Sequence, residues 1–470
     1  RDPPYSLVGS EMCIRDRNTY GRLSRISDLE GNHIAYAYDT QGNWIEMSKH
    51  DPAGTRTFRK RRSYQHLTVP GKLWKEINPD DSYTEYGYDN EGNIAFVKDP
   101  NDNTTYYAHD PLKRLKRVTQ PGSVVTNYDY DTHGNLVSVT DAEGHMTAYE
   151  YDDMGRVFST TSPDTGIVNY VYDAAGNLLG KTDAKGITVQ YAYDLLNRLT
   201  AVYFPDSAED ILYAYDKGIY GMGRLTGMTD PSGSTSFTYD PRGRLANKTS
   251  TIFGHSYTVG YNHTPGNRLR SITYPSRRRV DYDHDAMGKI EAVYTAYDEA
   301  TTALIRNIIY LPFGPATSLM TGNGSTLKTV FDERYRMTIA NPYAQTERVY
   351  GYDANGNIRS IEVASQPWKN QNFSYDTLNR LVEAAGIYGT VSYTYDKVGN
   401  RLTRSVNDQT ETYTYASDSN RLLSMDGPNP ISFSSDDNGN IIGMGDKTFI
   451  YNQNNRLLSV DRSDRMEAVY

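Results

Sequence analysis

Cysteine is almost missing from this sequence: a single residue, Cys13, stands among 470. With no second cysteine there is no disulfide framework and no paired thiolate metal site. Long apolar runs are missing as well. No stretch approaches the ~18 consecutive apolar residues that a membrane-spanning helix needs. Tryptophan and phenylalanine are scarce, at 3 and 11, and apolar residues make up only 37% of the chain. Typical soluble domains hold roughly 45–50%, so there is little apolar mass here for compact cores. Positive charge is not in excess either: 49 Lys and Arg against 58 Asp and Glu leave a net charge of −9. That balance argues against a nucleic-acid surface, which shows as a basic stripe. Arg59–Arg62, Lys113–Arg117 and Arg277–Arg279 are basic clusters in an acidic background, and they read as solvated loop or strand faces. What the chain does have is 42 tyrosines and 38 glycines. Disordered chains are poor in aromatics, so this one folds.

The first residues are foreign in character. Leu7–Asp16 resembles a translated sequencing adapter, and Asn18–Leu23 reads as the back half of a motif cut off where that segment ends. Residues 1–17 are therefore expected to be non-native, Cys13 included. The true N-terminus then lies elsewhere, and the lack of a signal peptide here carries no information on secretion.

One motif recurs along the rest. Tyr130-Asp131-Thr132-His133-Gly134-Asn135-Leu136 is followed by Tyr151-Asp152-Asp153-Met154-Gly155-Arg156-Val157. Next come Tyr172-Asp173-Ala174-Ala175-Gly176-Asn177-Leu178 and Tyr193-Asp194-Leu195-Leu196-Asn197-Arg198-Leu199. The consensus is Y-D-x-x-[GN]-[NR]-L, and degenerate copies included it starts at eighteen positions between 38 and 451. Five successive steps, from 88 to 193, are 21 residues each. A second turn signal lies between copies, as in Thr140-Asp141-Ala142-Glu143-Gly144 and Thr182-Asp183-Ala184-Lys185-Gly186. Asp bonds its own backbone two residues on, and Gly or Asn supplies the left-handed residue of a bulged turn. Two such turns of ~4 residues leave two strands of ~6 in each repeat. The repeat is a β-hairpin.

Residue alternation agrees with that. Ile187, Val189, Tyr191 and Tyr193 fall on one face, and Thr188, Gln190, Ala192 and Asp194 on the other. Tyrosine pairs such as Tyr149/Tyr151 and Tyr170/Tyr172 are expected to stack from repeat to repeat as an aromatic ladder, with hydroxyls left wet. A sheet of about 36 strands has to curl, because open twisted sheets rarely pass ~10. The expected fold is all-β: tandem β-hairpin repeats forming a curled, spiralling antiparallel sheet, part of a hollow shell. In it each turn of the strip protects the edge strands of the next.

Repeats of this type and period resemble the YD (Rhs) repeats of bacterial polymorphic toxins, with relatives in toxin-complex subunits, wall-associated proteins and animal teneurins. Tyr310-Leu311-Pro312-Phe313-Gly314-Pro315, inside a 47-residue gap between copies, resembles the PFG segment of Rhs proteins. The resemblance implies a hollow β-shell that encapsulates a C-terminal polypeptide, commonly a toxin. It also implies a D-P-x-G-L-type segment associated with self-cleavage, and no such segment occurs in these residues. On this reading the chain divides into a foreign segment 1–17, a repeat array 18–300, a PFG-containing insert 301–345 and a second array 346–470.

Chemistry is sparse. No H-E-x-x-H, G-x-S-x-G or phosphate-loop pattern occurs. His109 and His284 occupy the Tyr slot of a motif, which is a packing position. Each Asp begins a turn, so capping accounts for it without calcium, and Asp436–Asn440 lacks EF-hand spacing. The residues singled out are therefore structural: Tyr130, Asp131, Gly134, Asn135, Tyr151, Asp152, Gly155, Arg156, Tyr172, Asp173, Gly176, Asn177, Tyr193, Asp194, Asn197 and Arg198. No catalytic, metal or cofactor residues are assigned, and no cofactor is expected. The expected role is a non-enzymatic, secreted or surface-delivered shell around a C-terminal cargo polypeptide of the same protein, outside the cell or in the cell envelope. A cell-surface adhesion or glycan-binding module is the competing reading. Neither nucleic acid nor a membrane span enters.

Overall fold

The computed structural model describes residues 14–64, 69–298, 300–341, 346–462 and 465–469. Most of the suspected adapter segment, Cys13 included, lies outside the described residues. Its last residues, Ile14–Arg17, form a strand paired with Leu23–Ser27. Among the described residues there are 43 strands, a few one-turn 3₁₀ segments and no α-helix. The chain forms two compact units. One holds the residues up to Arg114 with 119–122 and 262–390, and the other holds 115–118, 123–261 and 391–470. Within each, strands pair antiparallel in chain order, and the fold is tandem β-hairpin repeats in a curled, spiralling sheet.

The repeat at Tyr151 shows how sequence sets geometry. Met146–Tyr151 pairs with Val157–Ser162 in the register Tyr149↔Thr160 and Glu150↔Ser159. The register then shifts so that Tyr151 faces Val157, leaving Phe158 as a bulge. Between the strands the Gly155 N–H donates to the Asp152 carbonyl, and the Asp152 N–H to the Arg156 carbonyl, both at 2.9 Å. Gly155 sits at φ +74°, and Asn197 in the equivalent place at +59°. The [GN] position is thus a left-handed one, which Gly and Asn occupy at least cost. The second turn type has the same construction: Gly144 donates to the Asp141 carbonyl at 3.1 Å and Gly186 to that of Asp183 at 2.9 Å.

The tyrosines do something other than ring stacking. The Tyr172 hydroxyl donates to the Val157 carbonyl at 2.8 Å, and Tyr151 to that of Leu136 at 2.8 Å. Tyr88, Tyr130 and Tyr352 reach the carbonyls of Leu73, Leu115 and Met337 in the same way, fifteen residues back. The motif Tyr of one repeat therefore ties down the final motif residue of the repeat before it. Few Tyr rings stack on one another; basic side chains cover them instead. The Arg156 guanidinium lies 4.9 Å from the Tyr172 ring centre, and that of Arg336 lies 4.9 Å from the Tyr352 ring centre. The expected wet hydroxyls and aromatic ladder are replaced by a hydroxyl–carbonyl rung under a cationic lid. Tyr172→Phe is expected to cost about 1 kcal/mol, since it removes one neutral hydrogen bond and leaves a carbonyl short of its donor. Urea melts check this, and an unchanged midpoint contradicts it.

The PFG segment takes the geometry of a repeat. Leu311 donates to the Pro315 carbonyl and Gly314 to that of Leu311, both at 3.0 Å, while the Tyr310 hydroxyl reaches the Ile290 carbonyl at 2.7 Å. Tyr310 is thus a motif Tyr. Among the described residues, buried apolar side chains are few and mostly small or β-branched, such as Ala201, Val202 and Val363, and no large side chain is fully buried. The low apolar content of the sequence fits this single-layer sheet.

Candidate functional site

In each unit the strip comes back alongside itself. In the first, the Asn355 amide donates to Asp99 at 2.7 Å and the Asn101 amide to Asp353 at 3.0 Å. Arg334 and Arg336 both reach Asp80, at 3.1 and 3.2 Å. In the second, the Asn420 N–H meets Asp164 at 2.6 Å and the Lys397 N–H meets Glu143 at 3.0 Å. The Ala184 N–H donates to Asn438 at 3.0 Å, and Lys185 pairs with Asp436 at 3.2 Å. Asn101, on an inter-motif turn, and Asp353, on a Y-D turn, are 252 residues apart, about eleven and a half repeats.

The contacts obey one rule. Y-D turns of the later pass sit on the inter-motif turns of the earlier pass, because these two turn types occupy opposite ends of every hairpin. Strands run across the strip, so its passes meet through turns. The expectation that each pass shields the edge strands of the next is corrected accordingly: strand ends are what the seam covers.

The motif residues singled out from sequence hold these turns in shape. Asp152 accepts the Met154 and Arg156 N–H groups, both at 2.9 Å, and its second oxygen accepts Arg156 Nε at 2.7 Å. Asp194 does the same with Leu196 and Arg198, and Arg198 extends to Asp216 at 2.7 Å. Where Asn stands at that position its amide replaces the guanidinium: Asn135 donates to Asp131 at 2.9 Å and Asn177 to Asp173 at 2.8 Å. Gly134 and Gly176 supply positive φ, +95° and +90°. Tyr193 ends its strand opposite Leu199 after the same bulge.

These hydrogen bonds make the turn aspartates more acidic than usual. The side-chain amides of Asn135 and Asn177 do most to hold Asp131 and Asp173 below the ordinary carboxylate value. For Asp152 and Asp194 the largest cause is the backbone N–H of Arg156 and of Arg198. The Arg244 side chain brings Asp240 down to about 2. A carboxyl depressed in the folded state adds stability above its unfolded pKa of ~3.9 and loses it as pH falls toward the folded value. The array is therefore expected to lose urea resistance mainly between about pH 4 and pH 2, with many turns contributing together. A midpoint unchanged across that window contradicts this.

The sheet has two unlike faces. In the second unit Tyr149, Tyr151, Tyr170, Tyr172, Tyr191 and Tyr193 share one face and are half-buried. The other face carries small, hydroxyl and aliphatic side chains: Ala148, Ile167, Asn169, Val171, Thr188 and Ala192. Ile167 and Val171 are 52% and 59% exposed. Among the described residues no group of three or more His, Cys, Asp or Glu side chains converges to hold a metal, and no helix is long and apolar enough to cross a membrane. His109 and His284 end strands where Tyr does elsewhere. Sequence reasoning missed the seam donors Arg334, Asn355, Asn420 and Asn438. Their only signal was a polar residue at the turn tip, which an isolated solvated turn would also show.

Residues 34–220 and 303–470 match the family model described as teneurin YD-shell, and residues 223–252 match the RHS repeat. No curated protein sequence matches. Among solved structures, the chain is similar to the TcdB2-TccC3-TEV complex at 17% identity and a TM-score of 0.79. That match covers 96% of this chain and 28% of the other. The Photorhabdus luminescens Tc holotoxin pore matches at 16% identity and a TM-score of 0.80, over 95% of this chain and 28% of the other. TcdB2-TccC3 without its hypervariable C-terminal region matches at 15% and 0.75, again over 95% and 28%. The chain thus spans under a third of the structures it matches.

Proposed function

The chain belongs to the teneurin YD-shell family, and from that premise we propose that it is a wall segment of a container holding a C-terminal polypeptide of its own full-length protein. The observation that carries this reading is the seam. In both units the strip returns after about twelve repeats and closes on itself through turn-to-turn hydrogen bonds. A sheet sealed in this way separates two sides. Structures of the same fold come from TcdB2-TccC3 complexes, one of them described as lacking a hypervariable C-terminal region, which supports a cargo at that end.

The work of such a wall is enclosure. A polypeptide behind it is cut off from proteases and from its targets until release, and no catalytic group is required. The face opposite the motif tyrosines, where Tyr203 is the exposed aromatic beside Gln190, suits the cargo side. Its exposed aliphatic and hydroxyl side chains offer weak, non-directional contact to an extended chain, and between Met146 and Gly260 it carries very few charges. Delivery outside the cell, or to the cell envelope, follows from this role.

Treating the purified full-length gene product with a non-specific protease tests the reading. The C-terminal polypeptide is expected to survive many times longer than the same polypeptide expressed alone. Equal lifetimes overturn the container. Specific cell or glycan binding by the intact array, lost on Tyr→Ala changes, together with an unprotected C-terminal polypeptide, establishes the adhesion reading instead.

A further inference from the structure

Asparagine followed by glycine occurs three times in the sequence, at Asn323-Gly324, Asn355-Gly356 and Asn438-Gly439. This pair is chemically labile, because glycine has no side chain to keep its backbone nitrogen from the asparagine Cγ. Two of the three pairs lie on the seam, one in each unit. The Asn355 amide nitrogen donates to Asp99 at 2.7 Å and to the Asn379 side-chain oxygen at 2.8 Å. Its own oxygen is buried without a hydrogen-bond partner. The Asn438 amide nitrogen donates to Asp183 at 2.5 Å and to Asn455 at 3.0 Å, while its oxygen accepts the Ala184 N–H at 3.0 Å. In both places the NH2 group is what joins a later turn to a carboxylate of the earlier pass. Asn323 is different. It is exposed, and its oxygen serves its own turn by accepting the Ser325 N–H at 3.0 Å.

We propose that Asn355 and Asn438 are deamidation sites, and that their conversion to carboxylates opens the seam irreversibly. The glycine nitrogen gives its proton to base in the solvent and bonds to the asparagine Cγ. The Cγ–Nδ2 bond breaks, and the side-chain nitrogen takes up a proton and leaves as ammonia. Water then opens the five-membered imide at either carbonyl, giving aspartate or isoaspartate. In the seated turn this reaction is held back. The Gly439 N–H is engaged by the Asp436 carbonyl at 2.9 Å, and the Gly356 N–H by the Asp353 carboxylate at 2.8 Å. Conversion therefore proceeds through brief opening of the seam. Afterwards the seam has lost its donor. An ionised acid at 438 has no proton to offer Asp183, and Lys185 in that turn is already paired with Asp436 at 3.2 Å. At 355 the new acid faces Asp99 and the Asn379 oxygen, both acceptors. Two carboxylates at hydrogen-bonding distance do not both stay ionised without cost, so the turns move apart. Isoaspartate also lengthens the backbone of the turn by one methylene. The inference rests on the seam alone and needs no cargo.

Ageing the full-length gene product in mildly alkaline buffer tests it, with peptide mass spectrometry to follow each site and Asn323 as the internal reference. In the folded protein Asn355 and Asn438 are expected to convert at least about tenfold more slowly than Asn323, and in urea at a similar rate to it. Hydrogen exchange then reads the seam through the Asn420 and Gln453 amides, which donate across it to Asp164 and Glu209. Their exchange is expected to quicken at least about tenfold in the aged protein and in Asn438→Asp. Adding Asp183→Asn to Asn438→Asp is expected to restore slow exchange, since an amide again faces a carboxylate. Circular dichroism verifies that both variants fold, and the aged protein carries the same test without a substitution. Asn355 and Asn438 that stay intact long after Asn323 has converted overturn the proposal. So does converted protein whose seam amides exchange no faster, or a double variant that exchanges as fast as Asn438→Asp.

Discussion

Gly439→Val is expected to lower the stability of the second unit by roughly 2–4 kcal/mol and to open its seam. Two effects add. Gly439 sits at φ +84°, where a β-branched residue is strained by about 1–3 kcal/mol. A Cβ there also lies 2.5 Å from the Asp164 carbonyl oxygen, on the turn of the earlier pass, and that backbone has to give way. The hydrogen bonds that break are those around Asp164, which accepts Asn420 at 2.6 Å and, through its carbonyl, Arg421 at 2.9 Å. Urea melts read the stability. Faster exchange of the Asn420 amide, which donates across the seam to Asp164, reads the opened seam, and its absence contradicts the seam assignment.

Gly155→Val isolates the first of those effects. At φ +74° the strain is similar, but a Cβ meets only the Asn135 side-chain oxygen, at 3.6 Å. Its expected cost is therefore the backbone strain alone, roughly 1–3 kcal/mol. Asp152→Ala in the same turn is expected to cost less, about 1 kcal/mol, by analogy with other side-chain caps. The order Gly439→Val, Gly155→Val, Asp152→Ala follows directly from the turn and seam geometry. Equal midpoints for the last two contradict the turn assignment.

Much of the fold is legible in the residues themselves. The 21-residue step, the Asp that starts each turn and the Gly or Asn that ends it are local signals, and local backbone physics acts on them directly. Tyr172 shows the limit. Its hydroxyl partner, the Val157 carbonyl, is fifteen residues back and is presented beside a bulge at Phe158 that alternation alone does not reveal. The 47-residue gap misleads for a related reason. Tyr310–Pro315 lacks the Asp, yet Phe313 reaches φ +49° and the turn closes with the same hydrogen bonds. Asn438 is illegible for a different reason. Its partners Asp183 and Ala184 lie some 254 residues earlier, and only the curvature of the strip brings them together.

Single-particle imaging of the full-length gene product tests the central claim most directly. The account predicts a closed wall of stacked hairpin coils with weak, unordered density for the C-terminal polypeptide on the side away from the tyrosines. A wall that stays open, or a C-terminal polypeptide folded outside it, contradicts enclosure as the work of this protein.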